Sequence, residues 1–147
     1  MLLHYQSLSP THLAEHLHTC NKTNLPVVYS QDEWKTFIHS QTHIIDYKLD
    51  NEKLIGYILV QLNNNSAHIC SLCVDTNYRN KNFGSQLITK MANFLHKINK
   101  NFITLNVQTT NTVAIKFYKK NNFHIVETLQ HYYGYFSNAY HMKRILT

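Results

Sequence analysis

Apolar positions recur with two different spacings along the chain, and these spacings predict an alternation of strands and helices. Short apolar or alternating runs predict seven strands, at residues 1–6, 42–49, 54–63, 67–74, 102–107, 123–127 and 139–146. Spacings of three and four residues predict helices, the clearest of which covers residues 84–97. Together these elements predict one mixed sheet flanked by helices, an α+β arrangement.

Residues with capping side chains mark where the first two helices begin. Ser9, followed by Pro10, predicts a helix that runs to about Thr19. Ser30 and Glu33 have the spacing of a capping box and predict a second helix over Gln31–His39. The apolar stretch between them, residues 24–29, is predicted to be a loop.

Length and cysteine content indicate a single globular domain in a reducing compartment. The 147 residues suit one domain over residues 1–147, with 44% hydrophobic positions and no stretch near the roughly 20 apolar residues of a membrane span. The N-terminus lacks the pattern of a signal peptide. Three cysteines argue against a disulfide scaffold, and Cys70 and Cys73 point to opposite faces of one predicted strand. We expect a cytoplasmic protein.

The net charge of +6 is unevenly distributed. Residues 1–75 hold four lysines and seven acidic residues, whereas residues 76–147 hold ten Lys or Arg and the single acid Glu127. The second half is therefore expected to face an anion. Both nucleic acid and a phosphorylated cofactor such as CoA meet that requirement, and the motifs below favour CoA.

One motif with metal-ligand spacing occurs in the first predicted helix. His12, Glu15 and His16 match the H-x-x-E-H pattern of one class of zinc proteases. That class needs a further carboxylate ligand and a larger catalytic domain, which the sequence does not offer. We interpret the motif as a solvated helix face and predict no metal site.

Residues 69–87 combine an apolar run, a short polar turn and the beginning of a helical pattern. A strand that leads through a turn into a helix presents several N–H donors to a phosphate. The turn from Arg79 to Gly84 also carries Lys81. We therefore expect it to hold a pyrophosphate, with the positive end of the following helix adding to the attraction.

Residues 74–85 resemble the acyl-CoA-binding motif of the GNAT superfamily of N-acetyltransferases, usually Arg or Gln followed by x-x-Gly-x-Gly/Ala. The chain keeps Arg79 and Gly84 but has Asn80 and Asn82 where glycines are common, and Asn enters the left-handed region with some ease. The resemblance implies a GNAT-like mixed, mostly antiparallel sheet of about seven strands flanked by about four helices. It also implies that acetyl-CoA contacts Leu72, Cys73, Val74, Arg79, Asn80, Lys81, Asn82, Phe83, Gly84 and Ser85.

A second motif follows at the spacing that the family uses. Residues 106–123 resemble the GNAT segment V-x-x-x-N-x-x-A-x-x-F/L-Y-x-x-x-G-F, with Asn122 in place of the usual Gly. The resemblance implies that Asn111 bonds the pantetheine arm and that Tyr118 is the general acid for the departing thiolate. A phenol suits that role because its pKa is at or above that of a thiol. The cofactor-binding residues implied here are Asn111, Ala114, Phe117 and Tyr118.

Two segments are similar to protein N-terminal α-amino acetyltransferases, both the bacterial ribosomal-protein type and the eukaryotic type acting on Met-first chains. One is the ending with Tyr132-Tyr133, and the other is the loop Leu25-Pro26-Val27. This resemblance implies that a protein or peptide N-terminus contacts Leu25, Pro26, Val27, Tyr29, Tyr132 and Tyr133. From the residues alone, simple packing explains the loop equally well, and ribosome association and oligomeric state stay open.

Acetylation of an amine also requires a group that removes its proton. Relatives use Glu or His at the position of Asn106, or Tyr at the position of His68, but an amide such as Asn106 has no useful proton affinity. We predict His68 as the base because its ordinary pKa is near neutrality. A half-exposed strand histidine without a catalytic role is the alternative. Backbone N–H groups after Leu72 are expected to polarise the thioester carbonyl.

The sequence is therefore compatible with three functions. The first is transfer of acetyl from acetyl-CoA to protein or peptide N-termini in a ternary complex. The second is acetylation of a small-molecule amine or a lysine side chain, and the third is a basic domain that binds nucleic acid. The tyrosine pair and the Leu25-Pro26-Val27 loop favour the first, since a small amine calls for an open acidic pocket.

Overall fold

The computed structural model describes residues 8–134 and 137–147, and in that part it has four helices and six strands. The helices are α1 (Pro10–Asn24), α2 (Gln31–His39), α3 (Phe83–Lys97) and α4 (Thr112–Lys120). The strands are β1 (His43–Asp50), β2 (Lys53–Leu62), β3 (Ser66–Val74), β4 (Phe102–Gln108), β5 (His124–Leu129) and β6 (Ala139–Ile145). The strand predicted at residues 1–6 lies outside the described residues.

The six strands form one sheet in the order β1-β2-β3-β4-β6-β5. β1 pairs antiparallel with β2, and β6 pairs antiparallel with both β4 and β5. β3 and β4 run parallel, with Ser66 opposite Phe102 and His68 opposite Thr104. The predicted α+β class and the GNAT-like, mostly antiparallel mixed sheet are confirmed.

Most helix ends follow the predicted caps, and one differs. Ser9 accepts a hydrogen bond from the His12 N–H, and both halves of the capping box between Ser30 and Glu33 are present. α1 ends at Asn24, five residues beyond the predicted Thr19. The extra turn is mostly polar in sequence, and side-chain hydrogen bonds of Asn21 and Asn24 hold it in place beside the buried Cys20.

The chain divides into two compact units, Met1–Leu62 with Cys70–Met91 and Asn63–Ile69 with Ala92–Thr147. The boundary passes through β3 and α3, so both elements contribute to each unit. The assignment of residues 1–147 to one domain stays a prediction.

The core of the first unit is built around one aromatic cluster. The Trp34 ring on α2 meets the rings of Tyr29, Phe37 and Tyr57 edge to face, with centroids 5.0 to 5.8 Å apart. Edge-to-face aromatic pairs stabilise a core beyond their buried area. Leucines of α1 close the cluster, and Leu13 and Leu17 are fully buried.

Gly56 on β2 lies against the backbone of β3, and we expect Gly56→Ala to destabilise the protein by about 1 to 3 kcal/mol. A Cβ at this position would lie 3.0 Å from the backbone oxygen of Cys73, which cannot rotate away. Urea unfolding measures the loss as a lower midpoint. Gln61→Ala, at an exposed position of the same strand, serves as the control, and equal midpoints for both variants would contradict the expectation.

Asparagine takes the place of glycine at most corners of the described chain. Asn51, Asn80, Asn82, Asn99 and Asn122 all have φ between 51° and 67°. This is the left-handed region, which Asn enters more readily than other residues with a side chain. The left-handed conformation expected for Asn80 and Asn82 is therefore confirmed.

Candidate active site

The turn predicted to hold a pyrophosphate lies in the first unit and leads directly into α3. Asn80 and Asn82 turn the chain with φ of 60° and 67°. The backbone oxygen of Asn82 then accepts the N–H of Gln86 at 3.1 Å, which begins the helix. The N–H groups of the first turn of α3 have no helical acceptor, so they are available to a ligand.

The charges around this turn fit a phosphorylated ligand. α3 has no acidic residue in its first turn, and Arg79 and Lys81 are exposed beside it. The Arg79 Nε donates to the Val74 oxygen at 3.1 Å, which fixes the base of the side chain and leaves the other guanidinium N–H groups to a ligand. Tyr78 braces the turn by donating to Asp50 at 2.8 Å. These features fit the pyrophosphate of CoA.

The strand end before the turn contains a cysteine contact that the sequence analysis missed. Cys73 is buried and Cys70 is half-buried. The Cys73 Sγ lies 3.6 Å from the Sγ of Cys20 on α1, which is 53 residues away in sequence. A contact of that sequence separation depends on how α1 packs on the sheet, and no local pattern reports it.

The second unit holds the predicted acid, Tyr118, on α4. Asn111 caps this helix by accepting the Ala114 N–H at 3.1 Å, a bond that uses its carbonyl oxygen and leaves its amide nitrogen as a donor. The half-buried Tyr118 ring packs edge to face against Phe117 and Phe123. Burial raises the pKa of Tyr118, and the nearby Tyr133 raises it further. Tyr118 therefore keeps its proton at neutral pH.

The predicted base, His68, lies on the strand face shared by β3 and β4 in the second unit. Its Nδ1 is 2.8 Å from the Oγ1 of Thr104, its register partner. Burial lowers the pKa of His68, and the positive charge of His141 lowers it further. His68 is thus neutral at pH 7, which is the form that can accept a proton.

A second histidine, which the sequence analysis did not single out, lies on the same face. The Nδ1 of His141 on β6 is 2.7 Å from the Oδ1 of its register partner, Asn106. The Tyr133 hydroxyl approaches the backbone oxygen of Asn106 at 3.4 Å. The Asn106–His141 pair thus lies beside two predicted residues, His68 and Tyr133. The one indication in the sequence was Asn106, an amide that cannot accept a proton, which leaves that role to another residue.

The loop predicted to contact the substrate lies in the first unit and is fixed by α1. The buried Asn21 donates to the Val27 oxygen at 2.9 Å and accepts the Tyr29 N–H at 2.8 Å. The Nδ1 of His18 lies 2.8 Å from the Tyr29 oxygen. Val27 and Val28 stay exposed, by 58% and 44%, although they are apolar. A rigid loop with exposed apolar side chains has the character of a binding surface.

The tyrosine pair of the second unit is also exposed. Tyr132 and Tyr133 meet edge to face, with centroids 4.8 Å apart, and expose 50% and 42% of their surface. Burial of part of the ring raises the pKa of Tyr133, and Tyr132 contributes to the same shift. Packing alone would have buried these rings more completely, so a role in binding is favoured.

Within residues 8–134 and 137–147, none of the helices has both the length and the apolar character needed to cross a membrane. In the same part of the chain, no three His, Cys, Asp or Glu side chains are grouped so that they could hold a metal ion. His12 and Glu15 of the H-x-x-E-H motif lie exposed on α1.

Residues 5–123 match a family model described as the acetyltransferase (GNAT) family. The N-alpha-acetyltransferase daf-31 of Caenorhabditis elegans is 29% identical over 100 residues, which cover 63% of this chain and 55% of that protein. The chain spans about half the length of the first curated relatives that it matches.

Two solved structures share both the fold and part of the sequence. Ard1 from Thermoplasma volcanium is 28% identical with a TM-score of 0.84, and the match covers 97% of this chain and 96% of that one. Naa50 of Arabidopsis thaliana, in complex with the bisubstrate analogue CoA-Ac-MVNAL, is 28% identical with a TM-score of 0.79. That match covers 95% of each chain.

Proposed function

The chain belongs to the acetyltransferase (GNAT) family, whose members use acetyl-CoA as acyl donor, and from that premise we propose that it acetylates the free α-amine of protein or peptide N-termini. The proposal follows the similarity to Naa50, whose bound analogue joins CoA through an acetyl group to the peptide MVNAL. It accounts for the two exposed apolar segments, which a charged small amine would not require.

The observation that carries the proposal is the loop from Leu25 to Tyr29. Three hydrogen bonds from His18 and Asn21 fix its backbone, yet Val27 and Val28 remain exposed. A loop that is ordered before binding loses little conformational entropy when a ligand docks. The first side chain of an N-terminal peptide is a ligand of suitable size and polarity for such a surface.

The roles of the chain's own groups follow from their protonation states. The turn of Arg79 and Lys81 with the first turn of α3 would hold the pyrophosphate, and Asn111 would offer its amide nitrogen to the pantetheine arm. When bound, acetyl-CoA supplies the acetyl thioester, whose carbonyl carbon forms a bond to the amine nitrogen as its C–S bond breaks. Tyr118 holds the proton that the departing thiolate requires. His68 is the acceptor that the sequence predicts for the amine proton.

The proposal is tested with purified protein, acetyl-CoA and short peptides whose N-termini are free or blocked, each also containing an internal lysine. We expect mass spectrometry to locate one acetyl group on the α-amine of the free peptides and none on the blocked ones. Acetylation of the lysine, or of small amines only, would replace the proposal by the second function. Retention on nucleic acid in place of acetyl-CoA binding would support the third.

We expect Val27→Glu to raise the KM for an N-terminal peptide by about tenfold, because a carboxylate would replace an exposed apolar contact at a cost of about 1.4 kcal/mol. The KM for acetyl-CoA should not change. Steady-state kinetics with each substrate varied in turn measure both constants. Val126→Glu, at a similarly exposed valine of β5, is the control. If both variants have the same KM for the peptide, the loop is not part of the binding surface.

A further inference from the structure

Asn106 and His141 form a short polar contact on the strand face that carries the predicted base. They are register partners on β4 and β6, and His141 Nδ1 lies 2.7 Å from Asn106 Oδ1. Partners in an antiparallel pair project their side chains from the same face of the sheet. The contact is therefore imposed by the register, and it places the imidazole of His141 beside Asn106, two residues along β4 from Thr104, the register partner of His68.

This contact defines which nitrogen of His141 carries the proton. An amide oxygen can only accept a hydrogen bond, so Nδ1 must be the donor. In a neutral imidazole the other nitrogen, Nε2, then keeps its lone pair. Asn106 cannot accept a proton itself, but it presents Nε2 of His141 as a group that can.

Other titratable groups face His141 from each neighbouring strand. Glu127 on β5 is its register partner, His68 lies on β3, and Lys143 lies two residues further along β6. The Lys143 ammonium is held 3.9 Å above the Phe102 ring. From the hairpin, the Tyr133 hydroxyl reaches the backbone oxygen of Asn106. The face thus combines two imidazoles with one carboxylate and one ammonium.

We propose that His141 fills the proton-accepting role predicted for His68: Nε2 of His141 takes the proton of the ammonium substrate, and His68 remains neutral beside it. This inference rests on the proposed function, because it assigns a residue to that reaction. Burial lowers the pKa of His68 and positive charge on His141 lowers it further, so protonation of His141 disfavours protonation of His68. Asn106 is a positioning residue that keeps Nε2 unprotonated.

The proton balance of the reaction is complete with these groups. The ammonium first loses one proton to Nε2 of His141, which later releases it to water. The amine then attacks, its nitrogen loses a second proton as the C–S bond breaks, and the thiolate accepts the proton of Tyr118. The Tyr118 phenolate regains a proton from the attacking nitrogen. The net products are the acetylated amine, the CoA thiol and one proton.

Steady-state kinetics against pH test the role of His141. We expect His141→Gln to lower kcat/KM by about 10- to 100-fold at pH 7 and to remove the fall in rate on the acidic side, because the proposed proton acceptor is gone. His124→Gln, an exposed histidine of the neighbouring strand β5, should leave both unchanged. An acidic limb that is the same in His141→Gln and wild type would overturn the proposal.

Rescue separates a lost proton acceptor from a damaged fold. The double variant His141→Gln with Asn106→His places an imidazole at the neighbouring register position and should recover most of the lost rate together with the acidic limb. If the double variant unfolds at the same midpoint as the wild type but recovers no activity, the assignment of a proton acceptor to this face would be overturned.

Histidine nitrogen NMR tests the geometry without any substrate. In the free protein we expect His141 to carry its proton on Nδ1, and Asn106→Leu should shift the tautomer toward Nε2. His141→Gln should raise the pKa of His68 because a neighbouring positive charge is removed. A wild-type His141 protonated on Nε2 would overturn the proposal. If the tautomers are as expected but no amine is acetylated, the proposed function fails and the positioning by Asn106 stands.

Discussion

Tyr118→Phe is expected to lower kcat by about 100-fold, equivalent to about 2.7 kcal/mol in the activation barrier, while the KM for acetyl-CoA changes little. The change removes the proton donor and keeps the ring. The Tyr118 hydroxyl has no hydrogen-bond partner among the described residues, so its loss should alter the free energy of unfolding by less than about 0.5 kcal/mol. Steady-state kinetics and thermal unfolding of the same sample measure the two effects.

Tyr140→Phe on β6 is the matched control, since it removes a hydroxyl from a half-buried tyrosine of the same unit. It should leave kcat unchanged. Because burial raises the pKa of Tyr118, wild-type kcat should show no loss of rate from phenol ionisation near pH 10, the ordinary pKa of tyrosine. A kcat for Tyr118→Phe within twofold of the wild type would leave the thiolate to be protonated by water.

Ser85→Glu is expected to weaken acetyl-CoA binding by about 100-fold, because it places a carboxylate in the first turn of α3 where the pyrophosphate is expected. The same substitution should stabilise the folded protein slightly, since a negative charge at a helix N-terminus is favourable. A lower affinity for acetyl-CoA together with a higher unfolding temperature would show that the ligand site is lost while the structure is kept. Calorimetric titration with acetyl-CoA and thermal unfolding provide the two measurements.

Thr89→Glu, one turn further along the exposed side of α3, introduces the same charge away from the N-terminal N–H groups. Its dissociation constant for acetyl-CoA should stay within a few-fold of the wild type. If both variants lose affinity equally, the effect would come from net charge alone. If neither does, the turn after β3 would not be the phosphate site.

The fold was predictable from sequence wherever local chemistry decides the structure. The capping box of Ser30 and Glu33 begins α2 as predicted. The periodic apolar residues of α3 predict its last residue correctly and its first residue to within one position. The end of α1 was not predictable, because it depends on the buried side chain of Asn21. This side chain forms hydrogen bonds with the backbone of Val27 and Tyr29, which follow it by six and eight residues. A polar residue held by such bonds leaves no apolar periodicity to detect.

The candidate site was predictable in part, for the same reason. Motif spacing identified Tyr118 and Asn111, and the structure adds that Asn111 caps the helix carrying Tyr118. His141 was missed because its position beside Asn106 depends on the register of β6 against β4, which pairs residues 35 apart in sequence. The contact between Cys20 and Cys73 was missed because it joins a helix to a strand. Single-sequence patterns carry no information on such long-range pairs.

The asparagines at the left-handed corners affect the unfolded chain as much as the folded one. Glycine at a corner adopts its native φ without strain, but it also gives the denatured ensemble many additional backbone conformations. Asn51, Asn80, Asn82, Asn99 and Asn122 carry a side chain that restricts that ensemble, so ordering these corners costs less backbone entropy than ordering glycines would. In the turn after β3, the asparagine side chains leave less space for a ligand than glycines would. In exchange, the unfolded chain has fewer conformations to lose when it folds.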